Sequence, residues 1–153
     1  MVDAAPGKAH PQVMRPKGLV FFLATAACKA GTDANTADVG GHWEFTETLE
    51  DRVHGITCAD TGSYEITQMG DQFSGRYGQR GVCHLPGGAV DNADSGTVQG
   101  GHVIGQTIRF IVDANCEYQA SVTGMPAIQL VGHARCLLQG PSGTLSGTWQ
   151  AAR

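Results

Sequence analysis

The chain has 153 residues, with 10 Lys or Arg against 14 Asp or Glu and a formal net charge of −4 at pH 7. From Lys29 onward the acidic excess is larger, with seven basic residues against thirteen acidic ones, and the arginines are scattered singly. A chain with this balance and no basic patch is not expected to bind nucleic acid, because phosphates are attracted by clustered positive charge.

The first predicted element is a bacterial export signal over Met14–Cys28. Arg15 and Lys17 form a short basic stretch, and the uncharged apolar run Leu19–Ala27 ends in small residues, as in a secretory signal peptide. The run is shorter than the about 20 apolar residues of a membrane-spanning helix. A short buried helix is the alternative, and the basic flank argues against it. We therefore expect residues 1–27 to be a signal peptide with an upstream extension.

The end of this segment resembles the lipobox of bacterial lipoproteins, in which small residues precede a cysteine that receives lipid. Ala26 and Ala27 fit the pattern, whereas Thr25 stands where the family usually has Leu. The resemblance implies lipid on Cys28, a membrane anchor through that lipid, and a location in the cell envelope facing the periplasm or the cell surface. Cleavage after Ala26 is the alternative, and it would leave Cys28 free.

Residues 28–40 are predicted to be the lipidated cysteine and a flexible linker, and residues 41–153 a single domain. In that domain glycine is abundant, and Val, Ile, Thr and aromatic residues recur at alternate positions. Alternation with a period of two predicts β-strands, and no stretch has a sustained helical period. The domain is therefore predicted to be all-β.

A two-residue turn at Gly70-Asp71 sets the register of one predicted hairpin. It places Glu65 opposite Arg76, which predicts a surface ion pair, and separates an apolar face from a polar one. Extended outward in the same register, Cys58 falls opposite Cys83. The inward face of this hairpin carries Tyr64, Ile66, Phe73 and Tyr77.

A three-residue turn at Met125-Pro126-Ala127 sets the register of a second hairpin in the same way. It places Glu117 opposite Arg135, again as a surface ion pair, and Cys116 opposite Cys136. The inward face of this hairpin carries Tyr118, Ala120, Val122, Ile128, Leu130, Gly132 and Ala134.

The chain contains five cysteines, an odd number for an exported protein. The two registers predict the disulfides Cys58–Cys83 and Cys116–Cys136, which leave Cys28 as the unpaired residue and so support its lipidation. A structural zinc site is the alternative for these four cysteines, but the sequence has no CxxC or paired-histidine spacing.

The remaining strands complete a meander of eight, with longer loops expected at Glu50–Thr61 and Gly81–Asp94. A meander of this size removes its exposed edges most simply by closing on itself. The predicted fold is therefore an eight-stranded antiparallel up-and-down β-barrel with two disulfides.

The domain resembles the lipocalin and avidin group of small barrels through Gly41-His42-Trp43 at its start and Gly147-Thr148-Trp149 near its end. In lipocalins the tryptophan of the first Gly-x-Trp plugs the closed end of the barrel, so the resemblance implies this role for Trp43. It also makes Arg153 the candidate for the arginine that packs on that tryptophan. Biotin binding is not implied, because the chain has only two tryptophans.

No catalytic signature is recognisable in the sequence, which lacks a Gly-x-Ser-x-Gly elbow, an HExxH motif and a phosphate loop. The histidines lack metal-ligand spacing and are better explained as loop and surface residues. We therefore predict a protein that is not an enzyme and that has no catalytic residues, no metal site and no cofactor.

The predicted barrel interior combines small residues with aromatic ones, which could create an apolar pocket for one small ligand. The first hypothesis is therefore an envelope lipoprotein that binds a small apolar or amphipathic molecule. The alternative is a filled interior and a protein-interaction module with an envelope partner, such as a periplasmic protease inhibitor. An enclosed pocket larger than about 300 Å³ would favour the ligand. The candidate ligand-binding residues are Tyr64, Phe73, Tyr77, Phe110, Tyr118 and Trp149.

Overall fold

The computed structural model describes residues 36–138 and 143–153. The predicted export segment, Cys28 and the linker up to residue 35 lie outside the described residues. Eight β-strands follow one another along the chain: β1 Gly41–Asp51, β2 Ile56–Met69, β3 Gln72–Leu85, β4 Gly88–Ile104, β5 Thr107–Val112, β6 Cys116–Thr123, β7 Gln129–Leu137 and β8 Thr144–Ala152.

Each strand pairs antiparallel with the next, and β8 pairs with β1, so the sheet closes into a barrel in sequence order. Buried and exposed residues alternate along most of the strands, with the apolar side chains inside. The predicted eight-stranded up-and-down β-barrel is confirmed.

The two predicted hairpin registers are also confirmed. Cys58 lies opposite Cys83 and Cys116 opposite Cys136, and both pairs form disulfides. Glu65 lies opposite Arg76, but the predicted ion pair between them is wrong. The carboxylate of Glu65 instead contacts Nδ1 of His42 on the neighbouring strand, at 2.5 Å. Glu117 lies opposite Arg135 without an ion pair among the described residues.

The two long loops expected at Glu50–Thr61 and Gly81–Asp94 are wrong, because both ranges consist largely of strand. β3 and β4 remain paired up to the turn, where Leu85 pairs with Gly88. Residues 88–97 of β4 pair with β3 but not with β5, whereas β3 stays paired with β2 up to His84, so this part of β4 is the free edge of a wall that extends beyond the end of β5. The side chains of residues 88–97 are mostly exposed on both faces, and the alternation that marks a barrel strand is therefore missing from this part of the sequence.

The prediction that Ile128 faces inward is wrong as well. The pairing of β6 with β7 ends at Thr123 and Gln129, which leaves five residues in the connection. Gly124 has a φ of 87° and turns the chain away from strand geometry. Ile128 is 59% exposed as a result, while Ala127 is buried in the core.

One end of the barrel is closed by residues 36–40, the last part of the predicted linker. Ala37 and Val39 are buried there. The side chain of Gln68 holds this segment, because its amide oxygen accepts from the backbone N–H of Val39 at 2.6 Å and its nitrogen donates to the carbonyl oxygen of Ala37 at 3.0 Å.

Trp43 lies at this closed end and is fully buried. Its indole N–H donates to the carbonyl oxygen of Val39 at 2.9 Å. The guanidinium carbon of Arg153 sits 4.5 Å from the centre of the Trp43 ring, and the same guanidinium donates to the carbonyl oxygens of Asp38 and Gly40. Arg153 therefore ties the end of β8 to the segment that precedes β1.

Candidate functional site

The opposite end of the barrel holds an open cavity of about 390 Å³. Both disulfides lie in its wall, together with apolar residues that include Leu49, Val112 and Leu145. The end of the β3–β4 hairpin extends this wall, since Leu85 and Val90 also line the cavity.

The six predicted ligand-binding residues are all buried, but they divide into two groups. Tyr77 and Tyr118 line the cavity. The other four, Tyr64, Phe73, Phe110 and Trp149, lie outside its lining and pack against one another. Phe110 is the centre of this aromatic core, stacked on Tyr118 at 4.9 Å between ring centres and edge-to-face with Tyr64, Phe73 and Trp149 at 5.6–5.8 Å.

Glu47 is the least expected residue of the cavity. It lies on β1 among the inward-facing apolar residues and is only 5% exposed. The hydroxyl of Tyr118 donates to its Oε2 at 2.9 Å. Burial raises the pKa of the Glu47 carboxyl to about 7, and the negative charge of Asp60 adds to this effect, while the hydrogen bond from Tyr118 opposes it.

Asp60 is the cross-strand neighbour of Glu47 on β2 and is 3% exposed. Its Oδ1 accepts from the side-chain nitrogen of Asn92 at 2.9 Å. Burial raises the pKa of this carboxyl above its ordinary value. Oε1 of Glu47 and Oδ2 of Asp60 accept no hydrogen bond from any described residue, although both side chains line the cavity.

A second pair of carboxylates lies nearer the rim, joined by a tyrosine. The hydroxyl of Tyr77 is 2.6 Å from Oδ2 of Asp113 and 2.9 Å from Oδ2 of Asp94. A phenol has one proton, so it can donate to only one of the two carboxylates at a time. Asp113 also accepts from the backbone N–H of Thr97 at 3.0 Å. That bond and the Tyr77 hydroxyl hold the pKa of Asp113 below its ordinary value.

The cavity wall is therefore acidic as well as apolar. Glu47, Asp60, Asp94 and Asp113 all line it, and no Lys, Arg or His is among its described lining residues. The sequence-based prediction missed these four residues. The alternation of inward and outward residues could have identified two of them. Glu47 alternates in register with the inward residues Trp43, Phe45 and Leu49 of β1. Asp60 alternates in register with the inward residues Cys58 and Tyr64 of β2.

Two further observations bear on this site. Within residues 36–138 and 143–153, no group of three or more His, Cys, Asp or Glu side chains is arranged to hold a metal ion. In the same part of the chain no helix is long and apolar enough to cross a membrane.

Comparison with known proteins gives one solved structure of similar fold. It is the S-type phycobiliprotein lyase CPES from Guillardia theta, at 11% identity and a TM-score of 0.46, with 75% of this chain and 88% of that chain covered. No protein-family model and no curated protein matches the chain.

This comparison corrects one prediction. The similar structure is by its description a lyase, which runs against the prediction that the present chain is not an enzyme, and that prediction is not maintained. A likeness at this identity and TM-score carries no argument about the activity of this chain.

Proposed function

We propose that this barrel binds a small amphipathic molecule in the cavity at its open end. The observation that carries the proposal is a cavity of about 390 Å³ whose walls combine apolar side chains with buried carboxylates that keep free acceptor oxygens. Ligand sites are typically concave, mostly apolar and equipped with a few polar groups, with volumes above about 300 Å³. The cavity has the size expected of such a site, and it opens to solvent at the rim rather than being enclosed.

The site in this proposal is smaller than the one predicted from sequence. Tyr77 and Tyr118 remain candidates for ligand contact, because both phenols line the cavity. Assigning Tyr64, Phe73, Phe110 and Trp149 to a ligand site stays a prediction. Their rings already pack against one another, so we expect them to support the floor of the cavity rather than to contact a ligand.

Binding can be tested with N-phenyl-1-naphthylamine, a neutral dye whose fluorescence increases in apolar surroundings. We expect saturable binding to the purified domain. Val112→Trp should raise the dissociation constant at least about tenfold, a loss of about 1.4 kcal/mol, because Val112 is buried in the cavity wall. Ile111→Trp is the matched control, since its side chain lies one residue away on the outer face.

The result that contradicts this function is equal binding by the two variants, or no saturable binding by the native protein. Circular dichroism and thermal unfolding show whether Val112→Trp has folded. If it has not, Leu145→Phe provides a smaller intrusion into the same cavity, because Leu145 also lines it. No saturable dye binding by the folded native protein would leave the protein-interaction module as the remaining hypothesis.

We propose further that the protein is an envelope lipoprotein anchored through Cys28. The two disulfides support export, because such bonds persist in oxidising compartments such as the periplasm. They also leave Cys28 as the only cysteine without a partner in the sequence count.

Export and lipidation can be tested by producing the full chain in a bacterial host with radiolabelled palmitate. We expect label in the protein and recovery of the protein in the membrane fraction. Cys28→Ser should lose both, while Thr25→Ser should keep them. Label that persists in Cys28→Ser, or a native protein found wholly in the soluble cytoplasmic fraction, would refute the anchor.

A further inference from the structure

Resting on the proposed binding function, we propose that the ligand carries a positively charged amine, which is held between the carboxylates of Glu47 and Asp60 at the base of the cavity. The remainder of the ligand would be an alkyl or aryl group that contacts the apolar wall. The class of ligand is therefore an amphipathic organic cation rather than a fatty acid or another anion.

The position of the two carboxylates is the first argument. Glu47 and Asp60 are directly opposite on adjacent strands, and both side chains face inward and are at least nine-tenths buried. Like charges directly opposite each other destabilise a sheet. Burying a charge is costly unless it is paired. When ionised, these two carboxylates would be stabilised by a neighbouring positive charge. None of the described lining residues of the cavity is basic, so none of them can supply it.

The free acceptors are the second argument. Each carboxylate uses one oxygen in a hydrogen bond, to Tyr118 or to Asn92, and keeps the other without a partner among the described residues. An ammonium group has three N–H donors and no acceptor, so it can satisfy both free oxygens together. Bonds of this kind, with both partners charged, are about twice as strong as neutral ones.

A metal ion fits the site less well than an amine. The described residues contain no group of three or more potential ligands arranged around one point. Calcium and magnesium require about six or more oxygen ligands, whereas an amine is satisfied by two or three acceptors. The apolar wall above the carboxylates also has no use in binding a bare ion.

The titration of Glu47 supplies a further property of the site. Its pKa near 7 is set mainly by burial, with Asp60 and Tyr64 on β2 and Tyr118 on β6 as the titratable neighbours. A cation beside the carboxylate favours its ionised form, so binding at neutral pH would release a proton. Affinity for an amine should therefore rise as the pH increases from about 6 to about 8.

Three probes with the same alkyl chain test the proposal: octylamine, octanol and octanoate, each titrated against bound N-phenyl-1-naphthylamine. We expect octylamine to displace the dye at a concentration at least about tenfold lower than octanoate requires, which corresponds to a difference of about 1.4 kcal/mol in binding free energy. Octylamine should also displace the dye at a lower concentration than octanol. Octanoate equal to or better than octylamine would overturn the proposal.

Two variants connect this preference to the site. Glu47→Gln keeps an acceptor for Tyr118 but removes the charge, and it should weaken octylamine about tenfold while leaving octanol within about twofold. Glu44→Gln is the control, because Glu44 lies on the same strand with its side chain 72% exposed. An unchanged octylamine affinity in Glu47→Gln would overturn the assignment. If octanol displaces the dye as well as octylamine does, only the preference for a charged amine is refuted. If the dye itself does not bind, the proposed binding function is refuted.

Discussion

The hydroxyl of Tyr118 on β6 donates a 2.9 Å hydrogen bond to Oε2 of Glu47 on β1, across the interior of the barrel. The two strands are not neighbours in the sheet, so this bond joins opposite walls at the floor of the cavity. It also provides a partner for a buried carboxyl in either protonation state, since a phenol can donate to both the neutral and the ionised form.

Removing that donor should destabilise the barrel more at high pH than at low pH. Tyr118→Phe keeps the ring that stacks on Phe110 but leaves Oε2 of Glu47 without its partner. We expect a loss of about 1–3 kcal/mol in the free energy of unfolding at about pH 8, where the carboxyl is ionised, and a smaller loss at about pH 5. Urea unfolding at the two pH values measures this difference. A loss that is equal at both would indicate packing damage instead.

The stability of the native barrel should fall as the pH rises through the titration of Glu47. The folded-state pKa of about 7 lies above the ordinary value of 4.5, so the folded protein binds the proton more tightly than the unfolded chain. Below about pH 4.5 both states are protonated, and between about 4.5 and 7 only the unfolded chain loses its proton, which lowers the free energy of unfolding by up to about 3 kcal/mol. Above about pH 7 this contribution stays constant.

Glu47→Gln isolates this effect. The variant should be more stable than the native protein at about pH 8 and nearly equal to it at about pH 5, because the neutral amide carries no titrating charge. Thermal unfolding across this range checks the prediction. Glu117→Gln, at an exposed position of β6, should leave the pH profile unchanged, and a native-like slope in Glu47→Gln would assign the slope to other groups.

The closed end should depend on Arg153. Its guanidinium lies over Trp43 and donates to two backbone carbonyl oxygens of residues 38–40. We expect Arg153→Ala to lower the free energy of unfolding by about 1–2 kcal/mol. Arg153→Lys should recover part of this, because an ammonium keeps the charge but not the planar donor geometry. Arg52→Ala, with a side chain that is 90% exposed, should change stability by less than about 0.5 kcal/mol in chemical denaturation.

Two glycines of the sheet should respond differently to alanine. A Cβ at Gly147 would collide with the carbonyl oxygen of Thr48 on the neighbouring strand, whereas a Cβ at Gly78 would meet nothing within 4 Å. We expect Gly147→Ala to lose about 2–3 kcal/mol, since the backbone of β1 or β8 must shift. Gly78→Ala should be neutral or gain up to about 1 kcal/mol by restricting the unfolded chain. Equal losses in the two variants would contradict this account.

The barrel could be predicted from sequence because its strands have one apolar face and short turns. The turn at Gly70-Asp71 determined every pairing up to Cys58 and Cys83, and the disulfide agrees with that register. Residues 88–97 of β4 could not be found in this way. Their side chains are mostly exposed on both faces, and this part of β4 is held by backbone pairing with β3 alone, which leaves no mark in hydrophobic periodicity.

The cavity was harder to predict than the barrel. Inward positions were identified by their apolar residues. Glu47 and Asp60 were therefore missed, although they stand at inward-facing positions of β1 and β2. The predicted aromatic residues do face inward, but sequence periodicity contains no information on depth along the barrel axis. Depth is what separates Tyr77 and Tyr118 in the cavity lining from Phe110 and Trp149 in the packed core.

The closed end of the barrel has a consequence for orientation. β1 begins beside the segment 36–40 at that end and runs toward the cavity, where Leu49 lies opposite Cys58. The chain that leads back toward Cys28 therefore joins the barrel on the side opposite the cavity. In a protein tethered through Cys28, the tether would therefore join the barrel away from the mouth of the cavity and leave the mouth unobstructed. A ligand could then enter from solution without passing the anchor.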